Sequence, residues 1–232
     1  MVLATGPAAA LDPLSLIGGV PMLAWAVSAL RAGGAADQLV VVVDPVGGAA
    51  PAGVRAALDR SVPGHGAQVV AGGPGRHAAV HRALSTVESR IETVVLHEVC
   101  RPLAAGELVA RVLDAVRAGA AAAVPAVDVT ETVKELDRAG RVAATVPREL
   151  LRRVQTPQAV RRSVLAAAHA GCRGDPVGDD ELALTPGGTA AVTVDGDHAA
   201  FPVASPADLA LAEAVIGGSR EGVRRPGGRP GR

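Results

Sequence analysis

Short apolar runs rich in β-branched residues alternate along this chain with longer Ala/Leu/Arg segments of helical period. Residues 38–43 (QLVVVV) are almost continuously apolar, the pattern of a parallel strand covered on both faces. Around it the alternation predicts strands over residues 2–4, 68–71, 93–97 and 121–127 and helices over 21–31, 53–60, 76–86 and 106–118. Pro21 is expected at the first helical position, where its missing N–H costs nothing. A β-α-β-α order of this kind requires right-handed crossovers and a doubly wound, mostly parallel sheet.

The pattern changes after residue 128. Residues 132–136 and 141–145 flank Asp137-Arg138-Ala139-Gly140 and predict a β-hairpin, which would protrude from the sheet as an arm of residues 130–155 suited to dimerisation. A helix over 159–169, a strand over 191–194 and an amphipathic helix over 206–216 complete one α/β domain of residues 1–216. Residues 217–232 (GGSREGVRRPGGRPGR) carry almost no apolar side chain and are expected to be disordered.

Composition sharpens this picture. Apolar residues make up 49% of the chain and aromatics only 1%, so the core must be built from Ala, Val and Leu. The scarcity of stacking side chains argues against single-stranded nucleic acid as a partner. The net charge is zero, yet the tail from Gly217 carries +4 and the body therefore −4, with Lys134 the sole lysine. Cys100 and Cys172 have no metal-ligand spacing, which fits reduced thiols. No signal-peptide n-region and no run of eighteen apolar residues is present, so a cytoplasmic protein without a membrane partner is expected.

In doubly wound sheets ligands bind beyond the carboxyl ends of the strands, which directs attention to the loops there. Ala4-Thr5-Gly6 follows the first strand, Gly72-Gly73-Pro74-Gly75-Arg76 the third, and His97-Glu98-Val99-Cys100-Arg101-Pro102 the fourth. Further on stand Glu131-Thr132-Val133-Lys134, the isolated Arg148, Gln155-Thr156-Pro157-Gln158, Gly178-Asp179-Asp180-Glu181 and Asp195-Gly196-Asp197 leading to Phe201-Pro202. Two glutamines around Thr-Pro have no simple helix or strand rationale. The bland alternatives are a turning glycine loop at 72–76, a surface ion pair at Glu98 and Arg101, and acidic residues at 179–181 complementing a helix dipole.

Taken in this order, the motifs resemble the 2-C-methyl-D-erythritol 4-phosphate cytidylyltransferases, over about residues 2–216. The resemblance implies a Rossmann-like nucleotidyltransferase fold, a homodimer, CTP and a polyol phosphate as substrates, and Mg²⁺. It assigns Ala4, Thr5, Gly6, Gly73 and Arg76 to the nucleotide, and Arg101, Thr132 and Arg148 to the substrate phosphate. Glu98 becomes a catalytic carboxylate and metal ligand, and Arg148 a catalytic residue that reaches across the dimer.

The chain also departs from the family pattern. Pro7-Ala8-Ala9-Ala10 occupies the stretch where the family has a second Gly and an Arg, and no Lys follows. Ala79 stands in place of a base-contacting Ser, Glu98 in place of Asp, Gly178 in place of Thr, and Pro202 in place of a closing Lys. Because CMP transfer needs positioned cations around its phosphates, slow turnover is expected. A catalytically degenerate paralogue acting as a dimeric binding module is therefore the alternative. A dinucleotide reductase would need G-x-G-x-x-G after the first strand, and Ala4-Thr5-Gly6-Pro7-Ala8-Ala9-Ala10 does not supply it.

Overall fold

A computed structural model of the chain describes residues 2–4, 11–34, 37–44, 50–73, 75–171 and 191–218. Its centre is an eight-stranded mixed sheet with a mostly parallel core. Strand β1 (Val2–Ala4) is followed by a two-residue ladder, β2 (Leu16–Ile17) with β3 (Val20–Pro21), then helix α1 (Met22–Ala32) and β4 (Val40–Val43). Helix α2 (Pro51–Ser61), β5 (Gln68–Ala71), α3 (Gly75–Thr86), β6 (Thr93–Glu98), α4 (Gly106–Arg117) and β7 (Ala122–Asp128) continue the alternation. Strands β4, β1 and β6 lie side by side and parallel, with β5 parallel beyond β4.

Strand β4 illustrates why its sequence reads apolar at every position. Val41 and Val43 pack into one core cluster with Trp25 and Leu30 of α1, Leu58 of α2 and Val109 and Val112 of α4. Val40 and Val42 face the opposite cluster, with Ala79, Val80 and Ala83 of α3. In β6, Val95 joins the first cluster while Val94 and Leu96 join the second. Successive side chains point to opposite faces of a strand, so burial on both faces demands an unbroken apolar run. The single tryptophan is satisfied: its indole N–H donates to the Ile17 carbonyl at 3.2 Å. No described helix is long and apolar enough to cross a membrane.

The chain after β7 departs from expectation in part. The hairpin forms as β8 (Val133–Leu136) and β9 (Val142–Val146), each one residue later than expected at its start. Asp137 holds its turn, accepting from the amides of Ala139 (2.9 Å) and Arg141 (3.0 Å). The Arg141 amide, above all, keeps the Asp137 carboxyl below the ordinary carboxylate range. A short 3₁₀ turn, Arg148–Leu150, and a strand β10 (Arg152–Val154) follow.

The expected helix over 159–169 begins later. Residues Gln158–Arg161 form β11, antiparallel to both β6 and β7, and helix α5 (Arg162–Gly171) starts only after it. Ala159 and Val160 are fully buried between those strands, and the tertiary environment overrides the helical preference of an Ala-rich segment. Strand β12 (Val192–Asp195) runs parallel to β7, and α6 (Pro206–Gly218) ends the described chain. The tail expected from Gly217 lies outside the described residues except for the two that close α6. Pro21 is likewise displaced from its expected place: it precedes α1 in extended conformation (ψ 139°) and pairs with Leu16. Gly18 and Gly19, at φ 58° and 79°, make the two-residue turn of that ladder, a conformation glycine adopts without cost.

Candidate active site

Strand β1 is flanked by β4 on one side and β6 on the other, so the chain order reverses there. Leu3 pairs with Glu98 and Ala4 with Val43, so the loop leaving β1 starts beside the carboxyl end of β6. This is the switch point at which open α/β sheets bind ligands. Thr5 and Gly6, and the stretch Gly178-Asp179-Asp180-Glu181, lie outside the described residues; Ala4 is described only as the last residue of β1.

The end of β6 gathers three of the expected residues. Glu98 Oε1 accepts from Arg76 Nη1 at 2.6 Å, with side-chain exposures of only 22% and 11%. Its Oε2 lies 3.5 Å from Arg101 Nε, and that buried N–H has no hydrogen-bond partner. The rest of the Arg101 guanidinium is fixed: Nη1 donates to the Ala200 carbonyl at 2.8 Å and Nη2 to Val154 at 3.4 Å. A partly buried carboxylate thus links one arginine from α3 with another from the β6–α4 loop. Cys100 sits against the same carboxylate, and burial together with the Glu98 charge pushes its thiol up to about 12. It is therefore an unreactive thiol.

The segment 154–158 forms the floor. The Thr156 hydroxyl accepts from the Glu98 amide at 3.1 Å and lies 3.1 Å from His97 Nδ1. His97 is wholly buried, and burial, reinforced by the charge of Arg101, lowers its pKa to about 3, so the ring is neutral. Gln155, 3% exposed, uses both ends of its amide: Nε2 donates to the Asp197 carbonyl at 2.7 Å and Oε1 accepts from the Asp197 amide at 2.9 Å. The Thr156-Pro157 peptide is cis.

Thr132 and Arg148 flank the β8–β9 hairpin and are exposed. Arg148 Nη1 donates to the Thr130 carbonyl at 2.6 Å, which brings it to the strand connection bearing Thr132. Lys134, a neighbour on β8, donates to the Thr145 hydroxyl at 2.7 Å. The expected site residues therefore fall into two groups, one at the end of β6 and one beside the β8–β9 hairpin.

At the start of α3, Gly73 lies where a Cβ would come within 2.7 Å of the Ala78 Cβ, so the loop approaches α3 closely. Ala79, on α3, is fully buried and faces the core. Pro202 is exposed, and the next residue donates its amide to the Cys100 carbonyl at 2.7 Å. The position at which a closing lysine is expected is thus held against the Glu98–Arg101 loop, and proline brings no charge and no donor to it.

In the sequence Gln155 and Thr156 stand out as an unusual string, without roles. The structure gives them roles in holding the 196–203 segment and the end of β6. Their signal is the string itself: polar side chains between apolar strands, each requiring a buried partner.

The sequence profile of 2-C-methyl-D-erythritol 4-phosphate cytidylyltransferase matches residues 13–218. A protein of that name from Frankia casuarinae is 41% identical over 203 residues, which span 88% of this chain and 73% of the relative. Its namesake from Streptomyces coelicolor is 41% identical over 211 residues, 88% of this chain and 77% of the relative. The crystal structure of the Thermus thermophilus cytidylyltransferase, 33% identical, aligns with a TM-score of 0.72 over 92% of this chain and 97% of its own. With its switch-point site and a match over nearly all its length, this chain belongs to the 2-C-methyl-D-erythritol 4-phosphate cytidylyltransferase family.

Proposed function

We propose that the chain transfers CMP from CTP to 2-C-methyl-D-erythritol 4-phosphate, a step in making isoprenoid precursors, as a cytoplasmic homodimer. A phosphate oxygen of the acceptor attacks the α-phosphorus of CTP, and the bond to the β-phosphate breaks to release pyrophosphate. The observation that carries this reading is Arg101, a guanidinium fixed at the switch point by two carbonyls and set beside the Glu98 carboxylate. A fixed guanidinium suits an anion better than a neutral ligand. Arg101 would hold the acceptor phosphate, with Thr132 beside it and Arg148 reaching the acceptor bound to the other protomer. Arg76 and Gly73, at the start of α3, would face the nucleotide.

Mg²⁺ is proposed to accompany CTP. It is usually held by one or two carboxylates plus substrate phosphates, and Glu98 is a carboxylate at the right strand end. It fits that role once the incoming phosphates take over its present arginine partners, Arg76 at 2.6 Å and Arg101 at 3.5 Å. The ion would supply charge neutralisation on the phosphates.

The test is to incubate the protein with CTP, Mg²⁺ and the acceptor and to identify the cytidine diphosphate adduct by mass. Its formation only when the acceptor is present supports the assignment, and its absence at any protein concentration contradicts it.

The dimer is supported by the arm's exposed apolar side chains, Leu136 at 57%, Val142 at 64% and Leu150 at 82%. Leu136 pairs with Val142 across the hairpin, and a contiguous exposed apolar patch marks an interaction surface. Sedimentation equilibrium is expected to give twice the chain mass at micromolar concentration. A monomer at every concentration would remove both the dimer and the cross-protomer role of Arg148.

A further inference from the structure

Arg101 is held by the carbonyl of Ala200, and the stretch Asp197–Ala200 is in turn held by Gln155. The Gln155 amide closes a two-way bridge on Asp197, at 2.7 Å to its carbonyl and 2.9 Å from its amide. The same Nε2 lies 3.5 Å from the Ala200 carbonyl, which also accepts from Arg101 Nη1 at 2.8 Å. The turn is tightened by Asp197, whose carboxylate accepts from the Ala199 amide at 2.8 Å. Gly196 is shaped to this bridge: a Cβ there would stand 2.5 Å from Gln155 Oε1 and 2.7 Å from Val127 Cγ1. Reciprocal bonds to a backbone N–H and a backbone C=O require an amide, since a carboxylate cannot donate and an aliphatic chain can do neither.

We infer that Gln155 is a positioning residue for the acceptor-phosphate site, setting the Arg101 guanidinium through the 197–200 turn. This rests on the reading of Arg101 as the phosphate ligand. Gln155→Glu keeps the shape but sets a carboxylate against the Asp197 and Ala200 carbonyls, so the turn must shift and Arg101 with it. A displaced phosphate clamp weakens acceptor binding while leaving Gly73 and Arg76, in the β5–α3 connection and on α3, in place.

The test is calorimetric titration of 2-C-methyl-D-erythritol 4-phosphate and, separately, of CTP·Mg²⁺ into the wild type, Gln155→Glu, Gln155→Met, Arg101→Ala and the double variant Gln155→Met/Arg101→Ala, each checked for a cooperative melt. The expected result is acceptor affinity weakened on the order of tenfold or more by either Gln155 substitution, with the CTP affinity unchanged. In the Arg101→Ala background the Gln155 substitution should add nothing further, because the two act as one unit. Additive losses, or equal losses for both ligands, overturn the inference. Should both Gln155 variants fail to melt cooperatively, Gly196→Ala, which displaces the same amide from the other side, replaces them with the same expected outcomes. A wild type that binds no acceptor overturns the reading of Arg101 itself, which is a different failure.

Discussion

Replacing Pro202 by lysine is expected to raise the rate of CMP transfer by about 10²-fold or more, the usual worth of one positioned charge donor. Pro202 is exposed and tethered beside Arg101 by the bond from the Val203 amide to the Cys100 carbonyl, so a lysine there would extend from a fixed backbone. The unmodified chain lacks this cation together with the loop Arg and Lys expected after the first strand. Its turnover should consequently lie on the order of 10⁴ or more below ordinary values, allowing for non-additivity. Pro202→Ala is the control, because it removes the proline without adding charge. A gain for Lys and none for Ala supports the missing-cation account. Equal gains would assign the effect to the backbone.

The second large effect is on stability. His97 titrates near 3 in the folded chain because burial disfavours its charged form, whereas an unfolded histidine titrates near 6.5. Between those values the unfolded chain binds the extra proton, so stability rises with pH across this window. The contribution is complete above pH 6.5 and lost as pH falls toward 3, amounting to roughly 5 kcal/mol in all. His169 acts in the same sense: burial first, then the neighbouring His77, lowers it to about 4. Its ring stacks on His77 with centroids 4.3 Å apart. Urea unfolding at half-unit pH steps should therefore show stability falling from about pH 6.5 to 4, and His97→Gln should reduce the slope by about one proton, or roughly 1.4 kcal/mol per pH unit. A flat profile in the wild type would contradict the buried neutral assignment.

Much of this architecture was legible in the sequence for a physical reason. Val40 to Val43 had to be buried on both faces, and a chain that alternates such runs with helical periods has few ways to pack. Residues 158–161 were not legible as a strand, because Gln-Ala-Val-Arg is too short to establish a period and runs directly into a helix. The switch-point residues Glu98 and Arg101 could be located from their place at a strand end. Their mutual arrangement could not, since it depends on Arg76, 22 residues before Glu98, and on the Ala200 carbonyl, 99 residues after Arg101. Gln155 stands out as a polar residue without local purpose, but its partner at Asp197 is 42 residues away and leaves no trace in local pattern.

The most direct test of the account is a coupled pyrophosphate assay on the unmodified protein with CTP and Mg²⁺, with and without 2-C-methyl-D-erythritol 4-phosphate. The expected result is slow release that depends on the acceptor, far below the ordinary range of about 1–10³ s⁻¹. Turnover within that range would contradict the account, because another cation would then have to fill the role assigned to the missing arginine and lysines.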